Sequence, residues 1–148
     1  ETPAAADEEI EYLLTGLDVS YWADGQGTVF GPGLTWGLVL QPERLNLLLT
    51  IGAMMGDGMY TIPVELRFDV HFELTNWLDF YLVPGPTLLF DRFDGTWHHD
   101  LALSAGVGLA VSPAGSSWAL RVGGDYNLRL WREVRSGGGF TVGFIYGF

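Results

Sequence analysis

The 148-residue chain contains no cysteine. Disulfides, thiolate nucleophiles and cysteine-based metal sites are therefore excluded. Lysine is absent as well: all seven Lys/Arg positions are arginines, set against 18 Asp and Glu, for a formal net charge of -11. An acidic balance of that size argues against nucleic-acid binding, which needs basic patches. No run of eighteen apolar residues occurs, so a transmembrane helix is excluded although 48% of the chain is hydrophobic. No segment carries a helical period either. The apolar residues are instead spread over short alternating segments separated by Gly-, Pro- and Asp-containing turns. That is the signature of a membrane β-barrel or of a soluble all-β fold, and the 21 glycines and 14% aromatics suit both.

The length fits one domain. The chain starts Glu1-Thr2-Pro3-Ala4-Ala5-Ala6-Asp7-Glu8-Glu9, which reads as a mature end left by signal-peptide removal, although an engineered start would look the same. Residues 1–11 hold Glu1, Asp7, Glu8, Glu9 and Glu11 and read as an acidic, solvated tail. From residue 12 to 148 the chain reads as about eight strands. The first runs from about Tyr12 to Trp22, with Leu13, Leu17, Val19 and Tyr21 on one face and Gly16, Asp18 and Ser20 on the other. The fourth has the cleanest period: Ile62, Val64, Leu66, Phe68, Val70, Phe72 and Leu74 alternate with Pro63, Glu65, Arg67, Asp69, His71 and Glu73. The fifth carries Pro84 and Pro86 on its apolar parity, and the two missing donors predict a bulge or irregularity there. The last is followed to Phe148, with Phe140, Val142, Phe144, Tyr146 and Phe148 on one face. Ala23–Thr28, Met55–Tyr60, Asp91–His98 and the Gly-rich Arg132–Gly139 read as loops. Short connections between neighbours predict an antiparallel meander.

Alternation alone does not say which face points inward. In a soluble lipocalin-like barrel the apolar face lies inside; in a membrane barrel it meets lipid. Volume discriminates between them. The interior of an eight-stranded barrel is only just wide enough for side chains. The apolar face offers roughly five large side chains per strand, too many for that space, whereas the opposite face is rich in Gly, Ser, Thr and Asn. Aromatics near strand ends, among them Trp36, Trp77, Trp118, Tyr126, Trp131 and Tyr146, fit interfacial girdles. The expected architecture is an all-β, eight-stranded, antiparallel up-and-down transmembrane β-barrel with a polar, side-chain-filled lumen. Its lumen would hold Asp18, Glu65, Asp69, Glu73, Asp79 and Asp125 against Arg67, Arg121, Arg129 and His71. Buried charges persist when paired, so arginine–carboxylate networks are expected there, with the excess acids protonated, hydrated or near a mouth. A narrow cation-preferring path is the competing reading of the same residues.

Candidate chemistry is sparse. His98-His99-Asp100 could suggest a metal or acid–base site, but a three-histidine set would need the distant His71. Ser104 follows His99 without a recognisable Ser–His–Asp arrangement. Gly106-Val107-Gly108-Leu109-Ala110 lies inside a strand and opens no helix, so it is not a phosphate loop. No catalytic residue, metal site or cofactor is expected.

The last residues carry a resemblance. Thr141, Gly143, Tyr146 and Phe148 match the pattern of the C-terminal signal of bacterial outer-membrane β-barrels. Together with the alternating segments, the chain from about Tyr12 to Phe148 resembles the small eight-stranded barrels of the OmpA transmembrane-domain, OmpX and OmpW type. The resemblance rests on architecture and the terminal pattern, not on an internal motif. It implies insertion from the periplasm by the barrel assembly machinery, contact with outer-membrane lipid, periplasmic termini, and the four loops named above on the outside. The deacylase branch's His-x-Ser pattern is absent. The expected function is therefore non-enzymatic: a structural barrel or an accessory subunit that meets other envelope proteins through its tail or loops. A small passive channel, a lipid-modifying enzyme and a soluble binding barrel are the alternatives.

Overall fold

The computed structural model describes residues 13–42, 44–132 and 134–147. The acidic tail 1–11, Tyr12 and Phe148 lie outside the described residues. Among the described residues the regular elements are all strands: β1 (Leu13–Asp24), β2 (Gly27–Gln41), β3 (Leu45–Gly52), β4 (Met54–Gly56), β5 (Met59–Thr75), β6 (Leu78–Phe93), β7 (Thr96–Val111), β8 (Trp118–Arg129) and β9 (Arg135–Tyr146). Neighbours pair antiparallel, and β1 pairs with both β2 and β9, so the sheet closes on itself. Because β3 and β4 share one position in the wall, between β2 and β5, the nine segments make an eight-membered ring. Closure removes the open edge that an apolar medium would not tolerate.

The break between β3 and β4 falls at Ala53, yet its N–H still donates to the Pro32 carbonyl at 2.9 Å. Gly31 is needed at that point. A Cβ on it would lie 2.0 Å from the Ala53 carbonyl oxygen, so only glycine lets the two backbones approach.

The bulky apolar face lies outside. On β5, Leu66 and Phe68 are 45% and 48% exposed on the outer surface, whereas Arg67 and Asp69 beside them are 7% and 0% exposed. The same parity runs through β1, where Leu17 and Val19 are exposed and Leu14 is buried, and through β9, where Phe140, Val142 and Phe144 are exposed. The small side of the alternation fills the interior. Tyr81 illustrates how tight this is: Cβ atoms added at Gly108 or Gly123 would each lie 2.4 Å from its hydroxyl.

Several expected loops are shorter than their composition implied. Strand β6 continues through Phe93 and β7 begins at Thr96, so Asp91–His98 is not a loop but two paired strand ends around Asp94-Gly95. Asp94 and Gly95 both have positive φ, as a tight hairpin turn demands. Ala23–Thr28 and Met55–Tyr60 likewise shrink to the turns Gly25-Gln26 and Asp57-Gly58. Gly137, Gly138 and Gly139 are not a flexible loop; they pair with β8 on one side and β1 on the other. Turn-type composition does not end these strands, because the closed ladder extends through it.

Pro84 and Pro86 bring the expected irregularity, a gap in one ladder, but no bulge. β6 keeps one register with β7 along its whole length. Its ladder to β5 lapses opposite Leu66–Asp69 and resumes in the same register. Outward-facing proline sites omit donors on one side only, so no extra residue is needed. The register shifts that do occur fall between Val39 and Gln41 and between Glu73 and Thr75.

If the outer face meets hydrocarbon, Leu66→Arg should cost about 2–4 kcal/mol of folding free energy in lipid, and Leu74→Arg, at the end of the same strand, about 0–1. Urea titration of vesicle-folded protein measures both. Equal, near-zero costs would point to an aqueous exterior.

Candidate functional site

The lumen is where the structure concentrates its polar chemistry, in three layers between the end bearing the turns Gly25-Gln26, Asp57-Gly58 and Asp94-Gly95 (the turn end) and the end at which β1 begins and β9 finishes (the terminal end). The middle layer is built on Arg67 of β5. Its Nη1 lies 2.6 Å from Asp125 Oδ1 of β8 and its Nη2 2.6 Å from Glu65 Oε1, two residues back on its own strand. The period of two places Glu65 and Arg67 on one face; the register of the ring brings Asp125 across the lumen. Thr141 donates to Asp125 Oδ2 at 2.7 Å and shares a 2.8 Å hydrogen bond with Ser20. Ser20 and Thr35 in turn reach Asp18 at 3.3 and 3.4 Å.

Nearer the terminal end, Arg121 of β8 grips Asp69 of β5 through both terminal nitrogens, at 2.6 and 3.3 Å. Asp69 also accepts from Asn46 at 3.2 Å and lies 2.8 Å from His71 Nε2, while His71 Nδ1 is 3.4 Å from Asp79 Oδ2. The Arg121 guanidinium stacks over the Tyr81 ring at 3.9 Å. Packed against this layer, Leu14, Leu48, Tyr81, Val83, Ala110, Ala119 and Ile145 form a buried apolar cluster.

At the turn end, Arg129 bridges Asp91 and Asp24, the latter at 3.3 Å, and Arg135 Nε approaches Asp24 at 3.5 Å. Thr61 donates to Asp91 at 2.7 Å, and Thr87, Ser104 and Asn127 form a hydroxyl–amide chain beside it. A second apolar cluster of Trp22, Val29, Met54, Met59, Leu89 and Ala102 surrounds this layer.

The sequence-expected residues therefore fall into separate groups. Asp18, Glu65, Arg67 and Asp125 meet in the middle; Asp69, His71, Asp79 and Arg121 meet below; Arg129 belongs to the turn end. Glu73 is a correction. It has the inward parity of β5 but sits at the strand's end opposite Asp79, where the wall stops, and it is exposed rather than in the network. Asp24, Asp91 and Arg135 were missed because they sat in segments read as loops. Their signal was available: each lies at an even spacing from an inward residue of its own strand, as Asp91 does from Leu89.

The middle layer holds three carboxylates against one guanidinium, and a cavity of about 90 Å³ lies there, lined by Asp18, Glu65, Arg67, Arg121 and Asp125 among others. That space is large enough for several waters. Buried Arg67 Nε has no partner among the described residues.

No hydrolytic arrangement forms around Ser104. It is buried in the lumen, whereas His99 sits on the opposite, outward face of β7 with its ring edge-on to Trp131 at 6.2 Å. His98 stacks on Phe93 at 4.2 Å. Among the described residues no group of three or more His, Asp or Glu is placed to hold a metal ion. The Thr141, Gly143 and Tyr146 positions of the terminal pattern lie in β9, Thr141 inside the network and Tyr146 outside, and Phe148 lies outside the described residues.

A closed eight-membered ring, an apolar exterior and a charge-filled interior together define a small transmembrane β-barrel. Solved structures share the fold. Neisserial surface protein A is 12% identical with a TM-score of 0.70, covering 92% of this chain and 96% of its own. The N-terminal β-barrel domain of Pseudomonas aeruginosa OprF is 16% identical with a TM-score of 0.65 over 90% of this chain and 97% of that domain. The outer membrane enzyme PagL is 12% identical with a TM-score of 0.61, over 90% and 99%. No protein-family model and no curated protein sequence matches the chain.

Removing one partner of a buried pair strands the other, which costs about 3–5 kcal/mol. Arg67→Ala should lose stability on that scale because it abandons both Glu65 and Asp125. Glu73→Gln, at an exposed rim position, should change stability by less than about 0.5 kcal/mol. Denaturant midpoints in the same vesicles compare the two.

Proposed function

We propose that the chain is an integral barrel of the bacterial outer membrane that acts as a non-enzymatic, non-conducting structural element, with both termini on the periplasmic side. The observation that carries this reading is the lumen itself: three layers of arginine–carboxylate pairs, flanked by apolar clusters, leave a central cavity of only about 90 Å³. A conducting path needs hydrated clearance from end to end, which the paired side chains and apolar clusters that fill the lumen oppose. Planar-bilayer recording of the refolded chain should show no steps above background in potassium chloride. Regular cation-selective steps would replace this reading with the small-channel alternative, for which the acid excess of the middle layer is the favouring feature.

The absence of enzymatic activity is inferred from chemistry. Nucleophile and base must lie within hydrogen-bond reach, and Ser104 and His99 face opposite sides of one strand. PagL is an enzyme on this fold, which underlines that activity resides in the site and not in the barrel.

An accessory role in an envelope complex follows from the turns. Three of the turn-end connections span two residues or so, which leaves little protruding surface for adhesion. Partners would then meet the acidic tail or the barrel rim. Cross-linking in whole cells is expected to recover the chain joined to another envelope protein, and exclusive recovery of monomer would remove this role. Assembly by the barrel machinery, through the terminal pattern at Thr141, Gly143, Tyr146 and Phe148, belongs to the same proposal.

A further inference from the structure

We infer that the turn end carries a binding site for a phosphate-bearing lipid headgroup on the outer surface of β5–β7, centred on Arg92. The inference rests on the membrane reading above and adds a ligand to it.

Four of the seven arginines, Arg67, Arg121, Arg129 and Arg135, point into the lumen network. Arg44 sits in a turn at the terminal end. Arg92 is different: it is exposed on the outward parity of β6. The strand register sets its neighbours. Phe30 pairs with Met55, Met55 with Tyr60, Tyr60 with Arg92, and Arg92 with Trp97. These form one outward row across five strands, apolar and aromatic except for a single cation. Phe30, Met55, Tyr60 and Trp97 are all exposed. Among the described residues no carboxylate lies within ion-pair distance of Arg92.

Depth agrees with a headgroup. Outward residues of a tilted strand climb about 5 Å per pair of residues, and the apolar band of such barrels is about 25 Å tall. Leu78, Phe80, Leu82, Pro84, Pro86, Leu88 and Phe90 occupy that climb on β6, and Arg92 is the next outward residue. Tyr60 and Trp97, on either side of Arg92, mark the interface.

The local geometry supplies donors. The Arg92 guanidinium lies 5.9 Å over the Trp97 ring, which holds its plane while leaving N–H edges free. His99 pairs with Phe90 one outward step away and is therefore a diagonal neighbour of Arg92. Tyr60 offers a hydroxyl on the other side, and Trp131 backs His99. Arg132, next to Trp131, places its guanidinium 5.9 Å over Phe93 on the rim above. The nearest exposed acid in the hairpin is Asp94, in the turn itself. In a chain of net charge -11, a cationic and aromatic patch at headgroup depth is complementary to a phosphate and to little else on the barrel's own surface.

The test uses the full chain folded into phosphatidylcholine vesicles carrying a minor fraction of spin-labelled phosphatidic acid, or of spin-labelled phosphatidylcholine. The motionally restricted fraction reads the preference for one label over the other. Wild type should prefer phosphatidic acid, and Arg92→Gln should reduce the preference by about fivefold, the worth of one arginine near a charged headgroup. Arg92→Lys should fall between them, and Arg44→Gln, at the other end, should match wild type. An unchanged preference in Arg92→Gln, or an equal loss in Arg44→Gln, overturns the site. Loss of the preference on adding inorganic phosphate assigns the patch to a soluble anion and overturns the lipid assignment. Heat-dependent gel migration reports folding: failure of wild type to insert would overturn the membrane reading itself, whereas insertion without preference overturns only the headgroup site.

Discussion

Closure of β1 against β9 is the constraint on which the rest of the barrel depends. In hydrocarbon a backbone N–H or C=O without a partner costs several kcal/mol, and only a ring of strands leaves none at an edge. Ten residue pairs, from Thr15↔Tyr146 to Asp24↔Gly137, make that seam. Glycines at 137, 138 and 139 extend it up to the turn end. The small residues there look like a loop by composition, but they carry the ladder beside Trp22, against which a Cβ on Gly139 would come within 2.4 Å.

Once the ring is closed its radius is fixed, and the lumen follows. Side chains of inward parity must fill a space only just wide enough for them. Large apolar inward residues thus gather in the two apolar clusters, Tyr81 among them, its ring lying against Gly108 and Gly123. Other inward positions carry charge, and buried charge persists when it is paired or hydrated. Arg67, Arg121 and Arg129 each satisfy a carboxylate on another strand: Asp125, Asp69 and Asp91. The bridges tie β5 and β6 to β8 across the lumen and resist its ovalisation. The layers are therefore a product of closure rather than a separate device.

The exterior obeys the same economy of position. The outward parity is apolar through the middle of each strand, and polar or aromatic residues gather where the strands end. Trp77, Trp118 and Tyr146 lie toward the terminal end, and Tyr60, Trp97 and Trp131 toward the turn end. Arg92 takes its significance from this background. A lone cation in an aromatic row is unremarkable in water but is at the depth of lipid phosphates in a bilayer, where a planar guanidinium is the best available partner.

Strand parity was legible in the sequence because the period of two survives any registration, and the bulk of the apolar face already decided which side must be outside. Leu66 and Phe68 outside and Glu65 and Arg67 inside needed no more than that. Composition misled where strand and turn residues overlap: Asp24, Asp91 and Arg135 read as loop, while the ladder carried them into the lumen. Glu73 had the right parity and the wrong height. Which acid meets which arginine across the lumen was not legible. Arg67 finds Asp125 at a separation of 58 residues and Arg121 finds Asp69 at 52, distances set by strand tilt and stagger around the closed ring. The sequence by itself determined an alternating chain with one face too bulky for an interior. Only the tertiary structure decided the partners, the layers and the row around Arg92, because each of them is a relation between strands, and register between strands exists only once the barrel has closed.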